Sequence, residues 1–218
     1  TSEMLSDKVY GKKICDLGCG TGALIPHMIK ANADYTGIDF SKEMLSKIKA
    51  QQLDETHNNK IHLHHLDFNN DNLEKKFDVL VGLGFIEYFE DPIKIIKKCN
   101  EILNKDGLIL LSFPNRLSID FTMIRILKYL RLFLKKVFGI GKDNPWRKMW
   151  SYKEANQLFK DGNFEIMLIK NYYTNLAIYP ITALFPSFAF TLAKFFENIF
   201  LNKINLFNAG YLILAKKK

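Results

Sequence analysis

The stretch KKICDLGCGTGALI, from Lys12 to Ile25, places three glycines within five residues directly after an apolar run. Glycine weakens strands and helices alike, so this cluster indicates that the backbone must turn sharply or come close to a bulky ligand. Residues 18–23, GCGTGA, satisfy both GxGxG and the dinucleotide-binding pattern GxGxxG/A. The stretch therefore predicts a strand, a loop and a helix that bind a nucleoside-containing ligand.

Apolar and amphipathic segments alternate beyond this loop. The patterns of KICDLG, DYTGIDF, KIHLHHLDF, FDVLVGLGF and GLILLSF predict strands, and those of ALIPHMIK, KEMLSKIKAQQ and DPIKIIKKCNEIL predict helices. Because alternating strands and helices are typical of βαβ units, we expect an α/β fold whose parallel sheet has helices on both faces. The sequence NKDG at 104–107 predicts a turn before the fifth strand.

The composition limits the class of protein. The 218 residues are 48% hydrophobic and 13% aromatic, which predicts a packed domain and excludes a disordered chain. The cysteines are Cys15, Cys19 and Cys99, an odd number without a CxxC pair. This pattern favours small buried thiols in a reducing compartment over disulfides or zinc ligands.

A basic segment carries most of the net charge of +8. Between Leu117 and Lys148 there are eight basic and two acidic residues, and Ser118–Phe138 is predicted to be a helix with one basic and one apolar face. Such a helix suits a membrane surface, a nucleic-acid groove or a lid with a solvated face. A nucleic-acid helix need not bury Phe133 and Leu134, so we expect a membrane surface or a lid and no nucleic-acid partner.

A second unusual segment, residues 171–193, contains no charged side chain. Its length suffices for a membrane span, but Pro180 and Pro186 favour broken helices over a substrate opening or at a bilayer interface. We therefore predict a single domain, residues 1–218, with a basic amphipathic insertion at 117–148 and a hydrophobic insertion at 172–207 over the substrate site. The expected location is cytoplasmic and peripheral on the membrane.

Three aspartates distinguish the nucleoside ligands that the glycines allow, a nicotinamide cofactor and S-adenosylmethionine. Asp16 stands two residues before the first glycine, where a carboxylate would repel a diphosphate but attract the cationic amino group of a methionine moiety. Asp39 follows at the spacing of a carboxylate that accepts both ribose hydroxyls. Asp67, after the third predicted strand, is placed to accept from the adenine amine. Together they favour S-adenosylmethionine.

The segments DLGCGTG, GIDFSKEML, LDF, FDVLVGLGFIEYFEDP and LNKDGLILLSFPN resemble, in this order, the motifs of class I S-adenosylmethionine-dependent methyltransferases. The resemblance implies an α/β, Rossmann-like, seven-stranded and mostly parallel sheet with an antiparallel last strand and hydrophobic helical insertions after strands 5 and 6. The implied cofactor residues are Asp16, Gly18, Cys19, Gly20, Thr21, Gly22, Asp39, Asp67 and Phe68, with Phe40 and Met44 flanking the adenosine and Gly82 and Leu83 lining the methionine end.

Within this family, the region after the fifth strand resembles the ubiquinone-biosynthesis O-methyltransferases, in which a basic amphipathic insertion approaches lipid-embedded polyprenyl phenols. Those enzymes carry an acidic and histidine cluster after the fourth strand, proposed to hold a divalent metal. This chain has GFIEY at 84–88, so only Glu87 of that cluster remains and we predict no metal. The histidines of HLHHLD, among them His62 and His64, are predicted to be solvated or hydrogen-bonded.

The predicted function is methyl transfer from S-adenosylmethionine to an oxygen of an amphiphilic, lipid-linked or aromatic acceptor at an anionic membrane surface. Alignment of acceptor and methyl supplies much of such catalysis, and removal of the hydroxyl proton assists it. Glu87, Tyr88 and His65 are candidate proton acceptors, and Glu87 is expected to lie nearest the reacting methyl. Two alternatives stay open: modification of a soluble sugar or natural product, and a peripheral membrane protein that binds the cofactor without turnover.

Overall fold

The structure is a computed structural model that describes residues 2–5, 8–50, 60–118, 147–172 and 209–218. Apart from their first residues, the predicted basic helix Ser118–Phe138 and the uncharged segment 171–193 lie outside the described residues, as do most of the two predicted insertions. No helix within the described ranges is long and apolar enough to cross a membrane.

The chain divides into two compact units. The first unit comprises residues 1–113, 153–169 and 212–218, and the second comprises residues 114–152 and 170–211. In the second unit, Asn115 and Trp150 form an isolated parallel bridge, and the Trp150 N–H donates to the Pro114 carbonyl at 2.9 Å. Trp150 is only 2% exposed, so its side chain is buried. All the predicted site residues lie in the first unit.

The described elements are, in chain order, α1 (Ser2–Leu5), β1 (Lys13–Leu17), α2 (Ile25–Lys30), β2 (Asp34–Asp39), α3 (Lys42–Ala50), β3 (Ile61–His65), β4 (Phe77–Gly82), a 3-10 helix (Ile86–Tyr88), α4 (Pro92–Ile102), β5 (Leu103–Pro114), α5 (Tyr152–Asp161), β6 (Phe164–Tyr172) and β7 (Gly210–Lys217). Local chemistry sets their ends. Helix α4 begins where the Asp91 carboxylate accepts the Lys94 N–H at 3.1 Å, and Pro92 suits a first helical turn because that turn needs no N–H donor.

The described strands form one seven-stranded sheet in the order β3-β2-β1-β4-β5-β7-β6. Strand β1 pairs in parallel with β2 and β4, β2 pairs in parallel with β3, and β4 pairs in parallel with β5. The last strand is antiparallel. The predicted α/β, Rossmann-like fold is therefore confirmed. The strand order reverses between β1 and β4, and ligands of such sheets bind at this point, beyond the carboxyl ends of the strands.

Consecutive residues of the central strands β1 and β4 are buried, so both faces of these strands are covered. In β1 every residue from Ile14 to Leu17 is buried, including the charged Asp16. The three cysteines are free and buried, as predicted. Burial raises the pKa of the Cys15 and Cys99 thiols above the usual range, so they stay neutral and serve the packing of the core.

Strand β5 begins earlier than the sequence predicts. It starts at Leu103 and includes residues 104–107, so the predicted boundary between a turn and a strand is wrong. The register with β4 shifts at this place, Asp106 has a φ of 62°, and Asn104 Nδ2 donates to Asp78 Oδ1 at 2.8 Å. The turn residues therefore form a bulge, which β4 holds inside a continuous strand.

Candidate functional site

Asp16 is a carboxylate buried at the carboxyl end of β1. It is 4% exposed, and the Tyr35 hydroxyl donates to its Oδ2 at 2.7 Å. Removal from water raises the pKa of Asp16 to about 6, the hydrogen bond from Tyr35 opposes this rise, and the nearby charge of Asp39 adds to it. A ligand ammonium beside Asp16 would favour the ionised carboxylate, so this environment fits a cationic ligand group.

Tyr35 contributes to the site although the sequence did not predict it. Its side chain is 1% exposed on β2, where Gly37 lies in register with Asp16 of β1. A Cβ on Gly37 would lie 3.0 Å from Tyr35 Cε1, so the absence of a side chain there makes room for the ring. The sequence offers one signal for this contact. Gly37 lies opposite Asp16, and Tyr35 stands two residues before that glycine, on the same face of β2.

The glycine loop adopts backbone conformations that favour glycine. Gly18, Gly20 and Gly22 have φ values of 71°, 54° and 80°. A Cβ on Gly22 would lie 2.7 Å from Ile25 Cδ1, so this glycine allows close packing on α2. A Cβ on Gly20 would meet nothing within 4 Å, so the backbone of Gly20 is open to the approach of a ligand.

The two other predicted residues of this loop differ in exposure. Thr21 is exposed, whereas Cys19 is 7% exposed. Burial, followed by the charges of Asp16 and Asp39, raises the pKa of the Cys19 thiol to about 12. A Cβ on Gly37 would lie 3.0 Å from Cys19 Sγ. The neutral Cys19 side chain therefore packs beneath the loop, while Thr21 faces outward.

Asp39 ends β2 and accepts backbone hydrogen bonds with both carboxylate oxygens. Oδ2 accepts from the Gly20 N–H and Oδ1 from the Ser41 N–H, each at 2.8 Å. Since each carboxylate oxygen can accept a second hydrogen bond, Asp39 can hold the glycine loop and still receive two ribose hydroxyls. Phe40, the next residue, is 74% exposed, and Met44 lies half-buried in α3.

Asp67 lies in the loop after β3 and forms a local turn. Its Oδ1 accepts from the Asn69 N–H at 2.9 Å, and its Oδ2 accepts from Asn70 Nδ2 at 2.8 Å. The preceding Leu66 N–H donates to the Asp39 carbonyl at 3.1 Å, which brings this loop to the end of β2. The loop that carries Asp67 therefore adjoins the end of β2, where Asp39 lies, and the role of Asp67 at an adenine stays a prediction.

An aromatic cluster lies where β1 and β4 end. The Phe85 ring packs edge-to-face against Phe68 and Phe89, with centroid distances of 5.6 and 4.8 Å. A Cβ on either Gly18 or Gly82 would lie 3.2 Å from this ring. Phe68 and Phe85 are 3% and 7% exposed, so they form the wall of this region. The contacts explain why the chain has glycine at both strand ends.

Glu87 and Tyr88 follow β4 in a single 3-10 turn. Glu87 is 4% exposed, whereas Tyr88 is 40% exposed. The turn begins after Gly84, whose N–H donates to Ser112 Oγ of β5 at 2.7 Å, and a Cβ on Gly84 would lie 3.8 Å from Glu87 Oε1. The structure therefore brings Glu87 and Tyr88 into the loop that begins at the half-buried Leu83.

His65 does not lie with these two residues. It pairs with Asp39 in the ladder between β2 and β3, and its Nε2 lies 2.9 Å from the Phe40 carbonyl oxygen. Strands β3 and β4 are separated by β2 and β1, which amounts to about 14 Å at the usual spacing between strands. We therefore assign no proton transfer to His65, contrary to the sequence-based expectation.

Residues of the types that bind metals are spread over the part of the chain that the structure describes. No group of three or more His, Cys, Asp or Glu side chains lies close enough there to hold a metal ion. Of the HLHHLD histidines, His62 Nε2 lies 3.4 Å from Asp34 Oδ1 on the neighbouring strand. Independence from metal stays a prediction.

The sequence is similar to one family model and to several known proteins. A family model described as a methyltransferase domain matches residues 15–109. The ubiquinone biosynthesis O-methyltransferase of Haemophilus ducreyi is 32% identical over 137 residues, 59% of this chain and 56% of that protein. Its counterpart in Glaesserella parasuis is 29% identical over 174 residues, 77% of this chain and 71% of that protein. The chain spans about half the length of the first three curated relatives it matches.

Solved structures share the fold. An S-adenosylmethionine-dependent methyltransferase from Methanosarcina mazei matches with a TM-score of 0.68 and 16% identity, covering 100% of this chain and 97% of that chain. A magnesium protoporphyrin IX methyltransferase from Synechocystis, solved with bound SAH, matches with a TM-score of 0.66 and 15% identity, covering 100% of this chain and 79% of that chain. At these identities the likeness concerns the fold.

Proposed function

We propose that this chain is a class I S-adenosylmethionine-dependent methyltransferase, which transfers a methyl group from S-adenosylmethionine to an oxygen of an amphiphilic, lipid-linked or aromatic acceptor. The observation that carries the proposal is the buried carboxylate of Asp16 at the switch point of the sheet, beside the glycine loop. The ammonium of a methionine moiety would compensate this charge, whereas the diphosphate of a dinucleotide would oppose it.

The first unit offers a separate contact for each part of the cofactor. Asp16 would hold the amino group, Asp39 the two ribose hydroxyls, and Asp67 the adenine amine through its remaining acceptor capacity. The exposed Phe40 ring would cover the adenine, because this contact would remove the apolar faces of both rings from water. S-adenosylmethionine supplies, when bound, a methyl group already activated by its sulfonium.

The loop after β4 would act on the acceptor. Glu87 is a carboxylate held in a buried turn, which suits a proton acceptor for a hydroxyl because few water molecules compete there. Tyr88 is 40% exposed in the same turn and would contact the acceptor. Because methyl transfer depends on alignment, the packed Phe85 beside Gly82 would fix the direction from which the acceptor approaches.

The choice of oxygen and of a lipid-like acceptor rests on the relatives and on the sequence. The curated relatives are named ubiquinone biosynthesis O-methyltransferases. The basic segment 118–138 offers cations to anionic lipid headgroups and bulky apolar residues to the interface, and the uncharged segment 171–193 adds apolar surface. We propose that the protein is cytoplasmic and attaches peripherally to the membrane that presents its acceptor.

The decisive experiment uses the full chain with methyl-labelled S-adenosylmethionine and mass spectrometry of two acceptor pools, a lipid extract and a soluble metabolite extract. We expect a labelled methoxy group on a lipid. A labelled soluble product alone would replace this proposal with modification of a soluble sugar or natural product. Cofactor binding without any labelled product would contradict an enzymatic role.

Co-sedimentation with vesicles tests the membrane surface. Each Lys or Arg near an anionic surface contributes about 1 kcal/mol, and the Debye length falls from about 10 Å at 0.1 M salt to about 3 Å at 1 M. We expect binding to anionic vesicles, release by high salt, and release at low salt in the variant Phe133→Glu with Leu134→Glu. The matched control, Met167→Glu with Leu168→Glu, changes two exposed apolar residues elsewhere and should stay bound. Equal binding to neutral vesicles would contradict the attachment.

A further inference from the structure

We infer that Tyr35 is a positioning residue, whose hydroxyl holds the Asp16 carboxylate ionised and correctly oriented for the amino group of the ligand. The inference rests on the proposed function, because it takes that ligand to be an S-adenosyl amino acid. Recognition of the amino-acid part of the ligand would then involve two strands. Strand β1 provides the charged Asp16, and β2 provides Tyr35, which keeps Asp16 ionised.

The direction of the hydrogen bond follows from the chemistry of its partners. An ionised carboxylate only accepts, so at 2.7 Å the Tyr35 hydroxyl donates to Asp16 Oδ2. Burial and the neighbouring Asp16 charge raise the pKa of Tyr35 far above its usual value, so the phenol keeps its proton as a donor. Hydrogen bonds to an ionised acceptor are among the stronger ones in proteins.

The packing fixes the position of the Tyr35 ring. A Cβ on Gly37 would lie 3.0 Å from each of three atoms: Tyr35 Cε1, Cys19 Sγ and Leu63 Cδ2. The ring, the thiol and the leucine therefore surround the glycine closely, and the hydroxyl cannot swing away from Asp16 without repacking the core.

The charges around Asp16 leave Tyr35 as the group that favours its ionised form. Within the described residues, the titratable groups that interact with Asp16 are Tyr35, Asp39, Cys15 and Cys19, and the β4 residue in register with Asp16 is the apolar Val81. Burial raises the pKa of both thiols, so they are neutral. Desolvation and the Asp39 charge oppose the ionisation of Asp16, and the Tyr35 hydrogen bond favours it.

The variant Tyr35→Phe tests the inference through the pH dependence of S-adenosylhomocysteine binding, measured by calorimetry. In the wild type, binding should weaken as the pH falls through about 6, because Asp16 becomes protonated. Without the hydroxyl, the carboxylate loses a stabilising hydrogen bond, so the midpoint should rise by about 1 in pH. Affinity should then be about fivefold weaker near pH 6 and within about twofold of wild type near pH 8.

Three controls and a second test variant separate positioning from a purely structural role. Tyr10→Phe removes a hydroxyl from a tyrosine that is 69% exposed and should leave the curve unchanged. The ligand 5′-methylthioadenosine lacks the amino acid, so its affinity should not respond to Tyr35→Phe. In an Asp16→Asn background the effect of Tyr35→Phe should disappear, since the two residues would act as one unit. Gly37→Ala keeps the hydroxyl but displaces the ring, and should shift the midpoint in the same direction as Tyr35→Phe.

The outcomes distinguish this inference from the function on which it rests. If the wild type binds no S-adenosylhomocysteine, the proposed function and the inference both fail. If it binds but Tyr35→Phe and Gly37→Ala leave the midpoint unchanged, the function stands and the inference is overturned. A loss that is equal at every pH, that extends to 5′-methylthioadenosine, or that persists with Asp16→Asn would likewise overturn it.

Discussion

The ends of β1 and β2 and the loop after β4 lie on the same edge of the sheet, but they are built differently. At the ends of β1 and β2, Asp16 and Asp39 each accept hydrogen bonds from neighbouring strand or loop groups. In the loop after β4, Phe85 packs against two glycines and two other aromatic rings, and the buried acid Glu87 lies in the turn that follows.

This difference suits the two tasks of the proposed methyltransferase. A region of fixed polar groups suits recognition of a constant cofactor, because each group has one partner and one position. A region shaped by packing suits an acceptor whose identity differs between proteins, since side-chain volume can change without disturbing hydrogen bonds. We therefore expect substitutions in the first region to change cofactor affinity, and substitutions in the second to change stability or turnover.

The largest effect should follow Glu87→Gln. Removing the proposed proton acceptor should slow label transfer to the lipid extract by about 10²–10⁴-fold, while S-adenosylhomocysteine affinity stays within about twofold of wild type. Initial rates with labelled cofactor, together with calorimetry, measure both quantities. The exposed Glu90→Gln in the same loop is the matched control. Turnover at the wild-type rate in Glu87→Gln would remove Glu87 from the mechanism.

Alanine substitutions of two phenylalanines on the same edge of the sheet should differ in their effect on stability. Phe85→Ala removes a buried ring and should lower the free energy of unfolding by about 3–5 kcal/mol. Phe40→Ala removes a ring that is 74% exposed and should change it by about 0.5 kcal/mol or less, while weakening cofactor binding. Denaturant unfolding and calorimetry decide the comparison. Equal stability losses would show that the two regions do not differ as described.

Asp39→Ala should weaken S-adenosylhomocysteine binding by about 2–5 kcal/mol, because it removes the ribose acceptor together with the hydrogen bond that holds Gly20. Calorimetry measures the loss. Asp106→Ala is the control, since Asp106 is an exposed acid that pairs with Lys216 at 2.9 Å outside the site. Wild-type affinity in Asp39→Ala would mean that the ribose binds elsewhere.

The smallest effect should come from removing divalent metal. Gly84 and Tyr88 stand where the resembled subfamily carries metal-binding side chains, so label transfer should be unchanged after chelation and dialysis. Restoration of a lost activity by one particular divalent ion would contradict this expectation, and would direct attention to Glu87.

Structural features that depend on neighbouring residues in the sequence were predicted correctly. The order of the strands, the glycine loop and the aspartates at the ends of β1 and β2 each depend on residues within a few positions of one another. The bulge at 104–107 was misread because its residues favour a turn, and only the pairing with β4 keeps them within a strand.

Features that depend on contacts between distant segments were not predictable. Tyr35 on β2 donates to Asp16 on β1, where Gly37 leaves space for the ring, and Ser112 of β5 accepts from the Gly84 N–H. His65 was grouped with Glu87 by residue type, which carries no information about the three strand spacings between β3 and β4.

The position of β7 also bears on how the chain folds. β7 follows β5 and β6 in the sequence but lies between them in the sheet. Lys217 Nζ donates to the carbonyls of Asn100 and Leu103, at 2.6 and 2.9 Å, across more than a hundred residues of chain. Since contacts between distant residues slow folding, insertion of β7 should be a late kinetic step. A chain in which β7 is not yet inserted leaves the backbone edges of β5 and β6 open, and open strand edges favour aggregation.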